Sequence, residues 1–213
     1  MYNFIKIIKL LIFLFLFTYQ SIFANTDKIR VQLKWKHQFQ FAGFYAAVEK
    51  GFYKEQNLDV ELIEGFSGIN FVDEVVNGNA DFGIELTQIL IERSNGKPIV
   101  ALASIFQRSP QILVTQKKIK YLHELVGKTV SLRKHAGYEN KAMFMIEKIP
   151  LSYLKIVESK FDYENFINGK VDALSGYSTN TPYALKEAGV EFNIIKPYYY
   201  GIDFYGDTIF TTE

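Results

Sequence analysis

An eight-residue pattern recurs in the chain, 91 positions after its first copy, with the same asparagine, glycine and aspartate in both copies. The first copy, VNGNADFG, spans Val76–Gly83, and the second, INGKVDAL, spans Ile167–Leu174. Each copy has the pattern of a helix that ends in Asn-Gly, where glycine takes the left-handed conformation, followed by a short buried strand. Because the order of the surrounding elements is also similar, the repeat predicts two related α/β lobes.

A polar stretch follows the predicted strand in each copy, at residues 85–88 and 177–180. In open α/β sheets, ligands bind beyond the carboxyl ends of the strands. Two lobes that each direct such a loop outward predict a cleft that closes on a small molecule. The alternative is that helix-glycine-strand is a common unit and that the repeat is a coincidence.

Strand and helix patterns alternate along the rest of the chain, which predicts an α/β fold of mainly parallel sheets flanked by helices. We assign residues 25–116 and 198–213 to lobe 1 and residues 117–197 to lobe 2, with crossings near residues 115–119 and 197–207. The apolar run Ile99–Ile105 predicts a central strand. Since the chain stops after a predicted strand at Thr208–Thr212, we expect lobe 1 to be incomplete at its C-terminus.

The first 24 residues have the features of a signal peptide. Lys6 and Lys9 precede the apolar run Leu10–Phe17, and Ala24 is a small residue at the expected cleavage point. Ile22 and Phe23 make this cleavage site imperfect, so an uncleaved membrane anchor is the alternative. Either reading predicts export, with the periplasm as the location.

Charge and cysteine content exclude several classes of function. The first 24 residues contain two lysines and no acidic residue, so 22 basic and 23 acidic side chains remain, a net charge of −1. This balance gives no electrostatic reason to expect a nucleic-acid partner. The chain has no cysteine, which excludes cysteine-ligated metals and thiol catalysis. The histidines, at positions 37, 123 and 135, are scattered, so we predict no metal site, and we expect no cofactor.

Residues 31–60 carry a pattern that resembles a known superfamily. The pattern consists of VQLKW at 31–35, FAGFYAA at 41–47, EKGFYKE at 49–55 and LDV at 58–60, with further matches at 81–84, 96–104, 171–173 and 201–207. It is similar to the thiamine-pyrimidine-synthase-like superfamily, which includes alkanesulfonate-binding proteins. The resemblance covers essentially all of residues 28–213 and implies the two-lobed type II periplasmic binding protein fold.

The resemblance also implies a function. Bacterial members bind thiamine pyrimidine precursors, alkanesulfonates or taurine, so we expect a solute-binding protein that serves an ABC permease, with a pyrimidine precursor as its ligand. Some members are input domains of membrane sensors, which is one alternative.

A fungal member is an enzyme that makes the pyrimidine, which is the second alternative. That enzyme uses a lysine, which holds pyridoxal phosphate, and a histidine, but Glu85 and Ile89 stand at the matching positions here. Its cysteine-rich iron motif would fall near residues 199–206, which contain no cysteine. We therefore expect no catalysis.

Candidate ligand-binding residues in lobe 1 follow the first and third predicted strands. Trp35 is suited to stack on a flat ring, while His37 and Gln40 offer hydrogen bonds. Tyr45 lies on the apolar face of the first helix and points its hydroxyl either into the cleft or into the core.

Glu85 and Gln88 begin the helix after the first repeated strand. Glu85 in the cleft favours an amino-bearing ligand, although both residues are equally suited to capping that helix.

The remaining candidates lie in lobe 2 and at the return crossing. Tyr138 begins a helix whose amino end, beside Arg133 and Lys134, is suited to bind an oxyanion. Tyr177 and Thr179 follow the second repeated strand. At the return crossing the candidates are Asp203 and Tyr205.

Overall fold

The computed structural model describes residues 26–66, 68–132, 138–159 and 163–213. The predicted signal peptide and the basic residues Arg133 and Lys134 lie outside these ranges. Within the described ranges, no helix is long and apolar enough to cross a membrane.

Strands and helices alternate along most of the described chain. The strands are β1 (Asp27–Gln32), β2 (Leu58–Ile63), β3 (Phe82–Glu85), β4 (Ile99–Phe106), β5 (Gln111–Gln116), β6 (Thr129–Leu132), β7 (Lys155–Glu158), β8 (Ala173–Tyr177), β9 (Phe192–Ile195) and β10 (Gly206–Thr212). The α-helices are α1 (Ala42–Glu49), α2 (Phe71–Val76), α3 (Gln88–Ser94), α4 (Tyr138–Ile146), α5 (Glu164–Ile167) and α6 (Thr181–Glu187). Short 3₁₀ turns occur at Phe39–Phe41, Lys54–Gln56, Leu122–Leu125, Leu151–Tyr153 and Pro197–Tyr200.

The strands form two sheets with the same arrangement. The order is β2-β1-β3-β10-β4 in the sheet of lobe 1 and β7-β6-β8-β5-β9 in the sheet of lobe 2. In each sheet the first three strands are parallel, and the crossing strand, β10 or β5, is antiparallel to its neighbours. The predicted α/β fold with mainly parallel sheets is confirmed: in each sheet four strands run in one direction, and the crossing strand, β10 or β5, runs against them.

The position of β5 corrects the predicted lobe boundary. Residues 111–116 were assigned to lobe 1, but β5 pairs with β8 and β9 in the second sheet. Its side chains alternate between two cores: Leu113 packs in one and Ile112 and Val114 in the other. A strand buried on both faces carries no sequence signal for which sheet it enters. The first crossing therefore lies at residues 107–110, and the second lies at residues 201–205.

The position of β4 corrects a second prediction. The apolar run Ile99–Ile105 was expected at the centre of a sheet, but β4 lies at the edge and pairs only with β10 among the described strands. Val100, Leu102 and Ile105 are exposed. An apolar run fits a buried strand and an edge strand equally well, and strand order depends on contacts far away in sequence.

The eight-residue repeat occupies equivalent places in the two lobes. The first copy joins α2 to β3 and the second joins α5 to β8, which are the central strands of their sheets. Gly78 and Gly169 have φ values of 75° and 67°, as the left-handed turn requires. The repeat is therefore a structural correspondence between lobes, not a coincidence.

Apolar side chains cover both faces of each sheet. In lobe 1, the cluster on one face contains Val31, Leu33, Phe41 and Ile84, and the cluster on the other contains Val72, Val75, Ala80, Ile89, Ile99 and Phe210. In lobe 2, the larger cluster includes Leu122, Val130, Met143 and Phe144, and the smaller includes Phe166, Leu174 and Leu185. Sheets covered on both faces leave only their edges and strand ends for a ligand.

Candidate functional site

A pocket lies between the two lobes, where the strand ends of both sheets meet. The carboxyl ends of β1, β7 and β8 reach it, and so does the amino end of the antiparallel strand β5. Its lining consists of Lys34, Trp35, Gln38, Gln40, Gln111, Ser159, Tyr163, Leu174, Ser175, Gly176, Tyr177, Asn180 and Thr181. The enclosed volume is about 60 Å³. Ligand pockets usually measure about 300–1,000 Å³, so the lobes leave too little room for a ligand of that size, which is a closed arrangement of the cleft.

Lys34 occupies the centre of this closed cleft. It follows β1 directly, is only 5% exposed, and forms an ion pair with Asp207 at the start of β10. It also donates a hydrogen bond to the Tyr177 hydroxyl of lobe 2. Asp207 is fully buried and accepts no other hydrogen bond from the described residues. The buried cation is therefore compensated within lobe 1 and reaches across to lobe 2.

Two further hydrogen bonds join the lobes. Asn180 Nδ2 donates to Gln38 Oε1 at 3.4 Å, beside the pocket. Thr87 Oγ1, at the amino end of α3, donates to Glu139 Oε1 at 3.4 Å, and Glu139 belongs to α4 of lobe 2. Together with the contact between Lys34 and Tyr177, these bonds place both walls of the cleft in direct contact.

Three of the predicted site residues border the pocket. Trp35 and Gln40 contribute to the wall from lobe 1, and Tyr177 contributes from lobe 2. The backbone N–H of Tyr177 donates to Thr181 Oγ1 at 3.0 Å, which fixes the residue at the end of β8. Both aromatic side chains lie at the carboxyl ends of their strands, as the sequence predicted.

His37 and Tyr45 lie behind the pocket wall instead of lining it. The Tyr45 hydroxyl is 3.0 Å from His37 Nδ1 and accepts the backbone N–H of Gln38 at 3.2 Å. Burial raises the pKa of the Tyr45 hydroxyl, and the bond from Gln38 opposes that rise. The backbone N–H of His37 donates to Glu64 Oε1 at 2.9 Å. This network holds the loop that presents Trp35 and Gln40.

Glu85 and Gln88 also lie away from the pocket lining. Glu85 is buried at the end of β3, where its Oε1 accepts the backbone N–H of Leu86 at 2.8 Å. Gln88 Nε2 donates along its own helix to Glu92 Oε1 at 2.7 Å. The Glu85 carboxylate therefore binds the backbone at the end of its own strand.

The other candidates in lobe 2 have different surroundings. Tyr138 begins α4, and the Lys141 ammonium lies 5.2 Å from the centre of its ring. The oxyanion-binding loop predicted beside Tyr138 includes residues outside the described ranges. Thr179 is exposed and borders a second cavity, of about 460 Å³, between Arg108 and Tyr199.

Asp203 and Tyr205 lie on the second crossing, outside the pocket. Asp203 forms a bidentate ion pair with Arg108 of the first crossing, at 2.8 and 2.9 Å. The backbone N–H of Ser109 donates to the carbonyl of Phe204 at 2.7 Å, which ties the same two segments together. Tyr205 is 59% exposed. The bonds of Arg108 and Ser109 therefore tie the two crossings between the lobes together, and this is where we place the hinge.

Several pocket residues were not predicted from the sequence. Lys34 and Ser159 satisfy the strand-end rule that selected Trp35 and Tyr177, so this signal was present. Gln111 lines the pocket at the start of β5, and Asp207, the partner of the pocket residue Lys34, lies at the start of β10. Since β5 and β10 are antiparallel, their amino ends lie at the ligand-binding edge, and only the tertiary fold shows this.

The fold is that of the type II periplasmic binding proteins, and it places a pocket between the two lobes. The aliphatic sulphonate-binding protein SsuA from Escherichia coli has the same fold, with a TM-score of 0.69 and 14% sequence identity over 87% of this chain and 65% of that chain. At this identity the likeness shows the fold alone.

The chain belongs to the NMT1/THI5-like family, whose pattern matches residues 38–213. The formylaminopyrimidine-binding protein of Halalkalibacterium halodurans is 25% identical over 96% of this chain and 66% of its own length. A 4-amino-5-hydroxymethyl-2-methylpyrimidine phosphate synthase of Saccharomyces cerevisiae is 28% identical over 82 residues, which cover 38% of this chain and 24% of that protein. The chain thus spans just under two thirds of the first relative.

Proposed function

We propose that this chain is an exported, periplasmic solute-binding protein that captures a small nitrogen heterocycle, such as a thiamine pyrimidine precursor, and delivers it to an ABC-type permease. The observation that carries the proposal is a pocket lined by residues of both lobes. Lys34 and Trp35 close it from one side, and Tyr177 and Asn180 close it from the other. A ligand held between the lobes makes its affinity depend on closure about the hinge.

The chemistry of the lining favours a flat, polar ring. Trp35, Tyr163 and Tyr177 provide aromatic surface, and Gln38 and Gln40 provide amide donors and acceptors. Apolar walls with a few polar groups are typical of sites for small heterocycles. The similarity to the formylaminopyrimidine-binding protein of Halalkalibacterium halodurans supports the same class of ligand.

The same lining does not favour a sulfonate. The Lys34 ammonium is the cation in the pocket wall, and the Asp207 carboxylate already balances its charge. An anionic ligand would have to compete with this buried ion pair. We infer that Lys34 acts on a neutral ligand as a hydrogen-bond donor.

Two positions support binding without chemistry. Glu85 stands where the enzyme branch has its lysine, and a carboxylate cannot form a Schiff base with pyridoxal phosphate. Ile89 stands where that branch has its histidine, and it is 6% exposed within the core of lobe 1. The similarity to the yeast synthase also covers only 82 residues.

Trp35 allows a direct test because it is the single tryptophan of the chain. We expect 4-aminopyrimidines to quench its fluorescence and to bind in calorimetry with one site per chain. A Trp35→Phe variant keeps an aromatic ring and should still bind in calorimetry, although the optical signal disappears. Tight binding of taurine with none of pyrimidines would contradict the proposed ligand class. Absence of binding across a panel of heterocycles, sulfonates and amino acids would contradict the binding function itself.

A further inference from the structure

Three buried acceptor oxygens beside the pocket have no hydrogen-bond donor among the described residues. Gln111 Oε1, Glu139 Oε2 and Asn140 Oδ1 are buried and have no hydrogen-bond partner among the described residues. Their residues are at most 2% exposed. A buried polar group without a partner costs free energy, so such groups usually mark a missing partner.

We call these residues, together with Ser175, the acceptor cluster: Gln111, Asn140 and Ser175 are joined by hydrogen bonds, and Glu139 is the sequence neighbour of Asn140. Gln111 Nε2 and Asn140 Nδ2 both donate to Ser175 Oγ, at 2.6 and 2.9 Å. Gln111 and Ser175 line the pocket, and Glu139 precedes Asn140 in the first turn of α4. The cluster therefore adjoins the pocket at its border with lobe 2.

The orientation of the Asn140 amide is fixed by a second bond. Asn140 Nδ2 also donates to the carbonyl of Ile112 at 3.2 Å, so its oxygen must be the group without a donor. The side-chain amide of Gln111 has only Ser175 as a partner among the described residues, so its nitrogen and oxygen can exchange places. The inference therefore depends on Glu139 and Asn140.

Glu139 is a buried carboxylate with weak partners. It is 1% exposed, and among the residues that the structure describes its Oε1 accepts only the hydroxyls of Ser109 at 3.3 Å and Thr87 at 3.4 Å. No ion pair joins it to a cation within the described ranges. Lys34, the cation of the pocket wall, is paired with Asp207 instead. A buried charge is normally balanced by an opposite charge or by strong donors, and this carboxylate has neither among those residues.

We propose that the acceptor cluster recognises an amino group, or a protonated ring nitrogen, of the ligand. An exocyclic amino group has two N–H donors. Their number equals that of the two acceptors, Glu139 Oε2 and Asn140 Oδ1, that have no donor among the described residues. Glu139 then selects an amino heterocycle over an otherwise identical oxo heterocycle, because an oxo group presents an acceptor to acceptors. This inference rests on the proposed binding function and names the feature of the ligand that the site requires.

Its position also makes Glu139 sensitive to closure. Thr87 belongs to lobe 1, Ser109 belongs to the first crossing, and both donate to the same oxygen of Glu139. A ligand amino group held by Glu139 is therefore coupled to the contact between the lobes.

Calorimetry with two probes tests the proposal. The probes are 4-amino-5-hydroxymethyl-2-methylpyrimidine and its 4-oxo analogue, each titrated into the full chain. We expect the wild-type protein to prefer the amino compound by about 10- to 100-fold, the effect of a charge-assisted hydrogen bond. Glu139→Gln should weaken binding of the amino compound by a similar factor and should not weaken binding of the oxo compound, because the glutamine amide has N–H donors for an oxo group. Glu187→Gln, an exposed change at the end of α6, is the matched control.

The outcomes separate this inference from the proposed function. If the wild-type protein binds both probes equally well and Glu139→Gln binds them as the wild type does, the amino-group inference is wrong while the binding function stands. If neither probe binds, both are overturned. The wild-type comparison of the two probes remains decisive even if Glu139→Gln does not fold, because equal affinity for both probes contradicts the inference by itself.

Discussion

At the scale of single residues, the buried pair of Lys34 and Asp207 is the most demanding feature of the site. Both side chains are at most 5% exposed, and they join the ends of β1 and β10. Asp207 has a φ of 43°, a left-handed conformation that aspartate and asparagine tolerate better than most residues. Strained backbone and a buried ion pair are often concentrated at functional sites. Breaking such a pair costs more than its net contribution, because the remaining charge stays buried.

We predict that Lys34→Met lowers the free energy of unfolding by about 3–5 kcal/mol, because it leaves the Asp207 carboxylate buried without its cation. The double variant Lys34→Met with Asp207→Asn should recover more than about 1 kcal/mol, since asparagine removes the charge and tolerates the same backbone angle. Chemical denaturation followed by circular dichroism measures both. A single variant within about 1 kcal/mol of the wild type would show that the pair is not buried in solution as described.

At the scale of elements, the repeated aspartate explains why the two copies resemble each other. The carboxylate of Asp81 accepts the backbone N–H of Arg30 at 2.7 Å, and that of Asp172 accepts the backbone N–H of Thr129 at 3.0 Å. The backbone N–H of each aspartate donates back to the carbonyl of the same partner. Each aspartate therefore fixes the register of two neighbouring parallel strands, β1 and β3 in lobe 1 and β6 and β8 in lobe 2. The repeat encodes this join, and the ligand-binding loops follow from it.

The pH dependence of the Asp81 contact is predicted from its environment. The bond from the Arg30 backbone N–H holds the pKa of Asp81 below its ordinary value of 3.8, with a smaller contribution from the Arg30 side chain. A lowered pKa stabilises the fold above about pH 4, and this stabilisation is lost as the pH falls through the pKa of the folded state. Asp81→Ala should cost about 1 kcal/mol at pH 7, the usual contribution of one hydrogen bond.

Urea unfolding from pH 7 to pH 3 measures this effect. The difference in unfolding free energy between Asp81→Ala and the wild type should become smaller at the acid end of this range. Asp59→Ala, an exposed change on β2, serves as the control and should shift the midpoint little at any pH. A gap between Asp81→Ala and the wild type that widens in acid would contradict the assignment.

At the scale of the whole molecule, the two crossings and the cleft contacts set the closed form. Arg108 and Asp203 tie the crossings, and three side-chain hydrogen bonds join the lobes. Both members of the Arg108 pair are about half exposed, so it contributes little to stability and chiefly orients the hinge. Because the closed cleft encloses only about 60 Å³, ligand entry requires the lobes to separate.

We predict that Tyr177→Phe shifts the ligand-free protein toward the open form. The change removes the hydroxyl that accepts the Lys34 hydrogen bond and keeps the ring, so a loss of about 1 kcal/mol corresponds to a roughly five-fold fall in the ratio of closed to open molecules. Since the chain has no cysteine, Asp59→Cys and Glu187→Cys each provide one site for a spin label, one on each lobe. The distance between the two labels, measured by electron paramagnetic resonance, reports how far the lobes are apart. Tyr183→Phe, an exposed change on α6, is the control. An unchanged distance distribution for Tyr177→Phe would show that this bond does not hold the cleft.

The sequence by itself determined the two lobes, the strand ends that carry Trp35 and Tyr177, and the family. These features depend on local order: a helix, a left-handed glycine, a buried strand and the polar residues after it lie within about twenty positions of one another. The same local rule selected Gln40 and also His37, which supports the loop behind the wall.

Only the tertiary structure decided which strands cross between lobes and which charges meet. Gln111, Glu139 and Asp207 are distant in sequence from Lys34 and Trp35, and β5 and β10 bring Gln111 and Asp207 to the site because they run against their neighbours. Strand order and direction follow from long-range pairing, for which an apolar run such as β4 carries no signal. The partners of a buried charge are likewise fixed by packing, because desolvation makes each charge depend on whatever the fold places beside it.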